Sequence, residues 1–198
     1  PRPIKIIFQL KMGNEHINFS KDLVYKYNDP VKGEVYQPFE IVPMVSSEIA
    51  AKVLLFDDNT PKEIPVKVKA HKDGANGIAV LEAPNNWSVS PKEIPFKIAT
   101  KGQEQVVIFT ITPPEMQSEG IVKSILISEG KTYDKTIVEI NYDHIPFQTV
   151  LLPAQAKVVR LNLHKQGKEI GYIKGAGDEI LESLQQIGYN VTILDPKD

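Results

Sequence analysis

The sequence predicts a mainly β chain, a β-sandwich followed by one short βαβ unit. Three observations carry that expectation. Short apolar segments with period-two alternation recur from residue 4 to about 165, which puts the apolar set of each strand on one face of a pleat. Proline punctuates them: ten of the 15 prolines lie between residues 30 and 114, and proline marks strand starts, edges and turns because it cannot donate to a ladder. No helical period of useful length appears before residue 177.

Taken in order, Ile4 to Leu10 is an Ile-rich apolar run and Leu23 to Tyr27 a short strand. Gln37 to Val45 and Ile49 to Phe56 follow, with Ser46 and Ser47 read as the turn between them. In Pro65 to Ala70, Val66, Val68 and Ala70 alternate with Lys67 and Lys69. Ile94, Phe96 and Ile98 alternate in the same way. Gln105 to Thr112 is apolar on both faces, which predicts a central strand ended by Pro113-Pro114. Ile121 to Ser128 and Thr132 to Ile140 are joined by Glu129-Gly130-Lys131, a hairpin signal. Val158 to Leu163 alternates again. Many short strands separated by turn residues predict a sandwich.

The end of the chain changes period. Ile170 to Lys174 reads as a strand and Gly175-Ala176-Gly177 as a tight turn. Asp178 and Glu179 open a helix carrying Ile180, Leu181, Leu184 and Ile187 at 3.6 spacing. Gly188 follows its end and Val191 to Leu194 is a second strand. A right-handed crossover would lay the two strands parallel. A parallel sheet normally has both faces covered, so this unit reads as the start of a domain cut short. The expected division is residues 1–165 for the sandwich and 166–198 for the βαβ unit. The tail is expected to cover its apolar surface by packing on the sandwich or by self-association. With Pro at position 1, the chain reads as processed or excised from something longer.

Composition narrows the chemistry. Lys and Arg number 23 against 25 Asp and Glu, a net charge of -2. No cation surplus exists to displace counterions, which argues against a nucleic-acid partner. There is no cysteine, so thiolate nucleophiles, thiolate metal sites and disulfides are excluded. No apolar run approaches the ~18–20 residues of a membrane helix.

Candidate sites are sparse. His16, His71, His144 and His164 lie in different segments without metal-ligand spacing. Gly175-Ala176-Gly177-Asp178-Glu179-Ile180 has Ile where a dinucleotide fingerprint needs its third Gly. Asp178 and Glu179 would also repel a pyrophosphate, although Asp195 lies near the place of a ribose-binding acid. Asp57-Asp58-Asn59 reads as the acidic turn of a hairpin and does not match a calcium loop. No catalytic, cofactor or metal residue is therefore assigned. Trp87 is expected in the sandwich core with the strand Val106 to Ile111, since large aromatics mostly serve burial.

Several stretches are similar to known families. Phe39 to Val45, the turn Asn86-Trp87-Ser88-Val89-Ser90-Pro91, and Gln105 to Pro114 resemble the NEW-type immunoglobulin-like domain that accompanies many bacterial carbohydrate-active enzymes. Tyr142-Asp143-His144-Ile145-Pro146 and Ile170 to Asp178, with Leu184, Gly188, Tyr189, Val191 and Thr192, resemble the C-terminal part of LmbE/PIG-L-type deacetylases of Bacteroidetes-like bacteria. The resemblance covers most of residues 22–198, and residues 1–21 match nothing. It implies an immunoglobulin-like sandwich, then the opening of a truncated flavodoxin-like, amidotransferase-like α/β domain. It also implies a zinc deacetylase domain ahead of this chain and a periplasmic or extracellular setting. The zinc residues of such proteins lie in that preceding domain. Ala70-His71-Lys72-Asp73 departs from their A-H-P-D-D signature at Lys72 and Gly74.

Two functional readings follow. One is a non-catalytic accessory domain of a multidomain N-acetyl-sugar deacetylase-like protein. It would position the catalytic domain or bind glycan or a partner. The other is a self-sufficient carbohydrate-binding module. The aromatics a sugar would stack on are Trp87, Tyr25, Tyr27 and Tyr36, provided their rings face water together.

Overall fold

The computed structural model describes residues 4–142, 144–145, 147–175 and 180–194. The Ala176-to-Glu179 turn and helix start and Asp195 lie outside them. Among the described residues, β1 (Lys5–Met12) and β2 (Glu15–Asp22) form one antiparallel hairpin, and β3 (Val24–Asp29) and β4 (Gly33–Pro38) another. Next come β5 (Val45–Ile49), β6 (Val53–Phe56), β7 (Lys62–Ala70), β8 (Ala75–Glu82) and β9 (Ser88–Ser90). β10 (Glu93–Ile98), β11 (Glu104–Thr112), β12 (Ser118–Ser128) and β13 (Lys131–Tyr133) follow. β14 (Lys135–Ile140) pairs with β15 (Gln148–Pro153). The chain continues through β16 (Gln155–Arg160), β17 (Glu169–Tyr172), α1 (Ile180–Gln186) and β18 (Asn190–Ile193). The mainly β class is as the sequence predicts.

Two compact units emerge, Pro1–Pro43 with Ile137–Leu152, and Met44–Thr136 with Pro153–Asp198. The boundary expected at 165/166 therefore runs through the interior of the second unit. The first unit holds the hairpins β1–β2 and β3–β4 and most of β14–β15.

The second unit is the sandwich. One sheet has the order β10-β8-β12-β16-β6, with β13 paired to the end of β12; the other has the order β5-β7-β11-β9. Their facing sides bury Phe56, Val66, Val68, Phe109, Ile111, Val122, Leu126 and Val158. A buried polar pair spans the two sheets, where Ser124 Oγ donates to Ser47 Oγ at 2.7 Å. Each hydroxyl satisfies the other, so neither is left unpaired in the core. Glu129 (φ 49°) and Gly130 (φ 70°) form the two-residue turn between β12 and β13. Positive φ at both central residues matches the twist of the flanking strands, as the Glu129-Gly130 hairpin signal predicts.

Several sequence expectations need correction. Ser46 and Ser47 are not a turn; they are buried within β5, where the Ser124 partner makes burial of Ser47 affordable in hydrogen-bond terms. Residues 39–44 are not strand, and β6 is a separate four-residue strand in the other sheet from β5. Asp57-Asp58-Asn59 does not close a hairpin, because β6 and β7 lie in opposite sheets. Thr132 to Ile140 breaks at Asp134, and β16 ends at Arg160 rather than Leu163. β11 is buried on one face only: Val107, Phe109 and Ile111 point into the core, while Val106 and Ile108 are about half exposed at 55% and 50%.

β2, β8, β9 and β15 are not among the strands the sequence predicts, and of β4 only its end is. β8 is instructive, because its inward positions Ala75, Gly77 and Ala79 are small and poor in strand propensity. Gly77 is bare for a reason. A Cβ on Gly77 would run into the Ile127 carbonyl oxygen and come within 2.9 Å of the Phe96 ring.

Trp87 sits between β8 and β9 with 7% of its surface exposed. Its ring packs edge-on against Phe56 at 5.1 Å, and its Nε1–H donates to Ser118 Oγ at 3.1 Å. The indole thus has both an apolar seat and a partner for its polar handle.

The tail forms the expected βαβ unit, with β17 and β18 parallel and Ile170 opposite Val191. It docks on the sandwich. β6 pairs with β16 along one edge only, which leaves the Leu55 N–H and C=O unpaired by strand. Gln186 Oε1 accepts from Leu55 N at 2.8 Å, and Lys62 Nζ donates to Leu55 O at 2.8 Å. Lys62 also donates to the Gln186 carbonyl, and Lys165 to the Ile187 carbonyl at 2.6 Å while pairing with Asp57. Two cations thereby hold the orphan carbonyls of the helix C-terminus, where the helix dipole favours positive charge. The same contacts blunt an open sheet edge.

Trp87→Ala is expected to destabilise the chain by roughly 3–5 kcal/mol, read as a fall in denaturant midpoint; an unchanged midpoint would place the ring outside the core. Lys62→Met combined with Gln186→Ala should speed amide exchange across residues 180–194 while β7, β11 and β12 stay protected. Unaltered exchange in the tail would mean that these side chains do not hold it.

Candidate functional site

The candidate site is built on the β3–β4 hairpin. Asp29-Pro30-Val31-Lys32-Gly33 makes its turn. Asp29 Oδ1 accepts from Val31 N at 2.8 Å and from Lys32 N at 2.9 Å. This is the way Asp closes a loop on its own backbone. Those two N–H donors, Lys32 first, hold the Asp29 carboxyl below the usual carboxylate range. Gly33 takes φ 74°, a region open to glycine at no steric cost.

Register then sorts the side chains. Tyr25 opposes Gln37 and Tyr27 opposes Val35, so both tyrosines share one face of the ribbon. Lys26 opposes Tyr36, which places Tyr36 on the other face. Tyr25 and Tyr27 stack with ring centroids 5.7 Å apart and planes 27° from parallel, and Tyr25 is 60% exposed. On the opposite face, Lys26 Nζ lies 2.6 Å from Glu34 Oε1 and 5.5 Å from the centre of the Tyr36 ring. The Tyr36 hydroxyl donates to Glu34 Oε2 at 2.9 Å. The Glu34 hydrogen bond raises the Lys26 pKa, and the Lys26 hydrogen bond, ahead of that from Tyr36, lowers that of Glu34.

The four aromatics singled out in the sequence therefore do not form one platform. Tyr25 and Tyr27 come together as a stacked pair, Tyr25 exposed and Tyr27 half-buried. Tyr36 belongs to a charged network on the far face. Trp87 lies in the other unit and is spent on the core. The Lys26–Glu34–Tyr36 network was not foreseen. The turn sequence Asp29-Pro30-Val31-Lys32-Gly33 could have revealed it, because it fixes the hairpin register.

Of the other candidates, His71 and His144 have partners. His71 Nε2 lies 2.8 Å from Ser46 Oγ, and His144 stacks on Tyr142 at 5.8 Å. His16, exposed on β2, opposes Lys11 on β1. Among the described residues no group of three His, Asp or Glu could hold a metal ion. Asp58 Oδ1 accepts from Thr60 N at 2.8 Å, the main cause of its lowered pKa. No described helix is long and apolar enough to cross a membrane. A recess of about 200 Å³ opens beside β6 and β7, lined by Ala50, Leu54, Lys62, Ile64, Pro65 and Gln186. Burial pushes the Lys62 pKa down, with Asp57 and Asp58 opposing the shift. Its ammonium is already engaged by two carbonyls, so the recess is part of the helix-docking seam.

No family model matches this chain, and no curated protein matches it. A solved structure of a family 123 glycoside hydrolase from Clostridium perfringens, studied for glycolipid glycan hydrolysis, is similar to it at 10% identity and a TM-score of 0.32. The match covers 61% of this chain and 28% of that one, so this chain spans little more than a quarter of its length. That likeness is too slight to carry an argument about fold or function.

The Asp29 turn should respond to acid with a defined sign. A carboxyl whose folded pKa is depressed contributes order that is present above its unfolded value and lost as pH falls through the folded one. Carbon-detected titration of Asp29 is expected to show a midpoint below the ordinary carboxylate range, with the Val31 and Lys32 amide shifts moving along the same curve. A normal midpoint would remove the carboxylate from the turn.

Proposed function

We propose that this chain is a non-catalytic accessory module of a larger LmbE/PIG-L-type deacetylase-like protein, and that it meets glycan through the β3–β4 hairpin. The observation that carries the glycan contact is the stacked pair in which the exposed Tyr25 ring is backed by the half-buried Tyr27. Ring faces in water offer apolar area at low entropic cost, with hydroxyl tips for a polar ligand. Gln37, opposite Tyr25 on the same face, adds an amide that can both donate and accept. The resemblance supplies the remaining partners: a zinc deacetylase domain ahead of the chain, the rest of an α/β domain after it, and a periplasmic or extracellular setting. A self-sufficient carbohydrate-binding module would use the same pair, and would differ in needing no partner domain.

The test uses the whole chain and N-acetylglucosamine oligosaccharides. Calorimetric binding should weaken about tenfold on Tyr25→Ala or Tyr27→Ala, the cost of one stacking ring. Tyr36→Ala, on the other face, should leave it nearly unchanged. Binding that ignores Tyr25 and Tyr27 would overturn the glycan contact. Release of acetate from those sugars by the purified chain, abolished on changing His71 or His144, would overturn the non-catalytic reading.

A further inference from the structure

The β1–β2 hairpin separates its side chains more sharply than any other two-stranded element described in the chain. Ile6 opposes Lys21, Phe8 opposes Phe19, Leu10 opposes Ile17 and Met12 opposes Glu15. Opposed residues share a face, so Ile6, Phe8, Leu10, Met12, Ile17 and Phe19 form one apolar side. The reverse side carries Lys5, Gln9, Lys11, His16, Asn18, Ser20 and Asp22, with Ile7 among them. The apolar six are 39–66% exposed. A two-stranded ribbon is marginal in water unless such a face is covered.

We infer that this face is covered by the same face of a second copy of the chain, in a two-fold dimer. Charge placement points to that occupant. The apolar side holds two charges at opposite ends of β2, Glu15 beside Met12 and Lys21 beside Ile6. A two-fold axis lying between the sheets, crossing the strands at the Gln9–Asn18 pair, lays β2 antiparallel over its own copy. Each Lys21 then stands over the other copy's Glu15, and both pairs form at once. The same operation sets Ile17 over Phe19, Phe8 over Leu10 and Ile6 over Met12, so every large side chain meets another. The face is thus self-complementary, as an isologous contact requires. Phe8 and Phe19, 48% and 51% exposed, are the two aromatic members of the face, and aromatic rings dominate interface energetics. Two faces packed about 10 Å apart would form a small sheet-on-sheet core. The proposal concerns a different surface from the glycan-binding hairpin and does not rest on it.

The experiment is sedimentation equilibrium on the full chain from micromolar to submillimolar concentration. A dimer is expected. Leu10→Asp should weaken it by about a hundredfold or more, because a lone carboxylate is buried between the sheets. Lys21→Glu should weaken it by about tenfold by setting two carboxylates together, and adding Glu15→Lys should restore it. The double variant keeps the apolar pattern intact, so recovery separates a broken interface from an unfolded hairpin. A chain that stays monomeric overturns the proposal. A dimer indifferent to Leu10→Asp, or a charge swap without recovery, overturns it as well.

Discussion

Phe109 and Ile111 from one sheet meet Val122, Leu126 and Val158 from the other with no exposed surface left on any of them. Most of what is ordered in the second unit hangs on that contact. Burial of a large apolar side chain contributes roughly 1.5–3 kcal/mol, far more than a surface hydrogen bond or ion pair. Phe56 joins the same layer from β6 and provides the seat for Trp87, whose N–H then needs only Ser118. The Ser47–Ser124 bond lies inside this layer and ties β5 to β12. Side-chain size is set from the neighbouring strands at Gly77, where Phe96 of β10 and Ile127 of β12 leave no room for a Cβ.

The edges of the sandwich follow from the same layer. Among the described residues β6 pairs with β16 alone, which leaves its other edge without a strand neighbour there. Gln186, Lys62 and Lys165 answer both that edge and the helix C-terminus with one set of contacts. The tail therefore belongs to the sandwich in packing terms, although in sequence it begins a different kind of structure. The hairpins of the first unit are held differently. β3–β4 rests on its Asp29 turn and on cross-strand pairs such as Lys26 with Glu34. Tyr25 stays exposed there, stacked on the half-buried Tyr27.

The candidate site was legible only in its residue types. Tyr25, Tyr27 and Tyr36 stood out as aromatics in short strands, but i, i+2 spacing guarantees a shared face only within one strand. Tyr36 is on the next strand, and its face depends on a register decided by the turn. Trp87 was legible as core because a lone Trp flanked by prolines, ahead of alternating strands, suits a sandwich better than an open surface. The exposed faces of Val106 and Ile108 were not legible, since a two-sided apolar strand reads as central whether or not a second layer covers it.

By itself the sequence determined the β class, the alternation of β7 and β10, the Glu129-Gly130 turn and the change of period that announces α1. These are local properties: period, turn chemistry and proline placement act within a few residues. The tertiary structure alone decided which sheet each strand joins, so that β6 and β7 part across Asp57-Asp58-Asn59. It also decided that Ser46 and Ser47 lie in a strand, that β8 exists at all, and that the tail closes an edge of the sandwich. Each of these is settled by a partner distant in sequence, Ser124 for Ser47 and Gln186 for Leu55, and no window of the chain contains both members of such a pair.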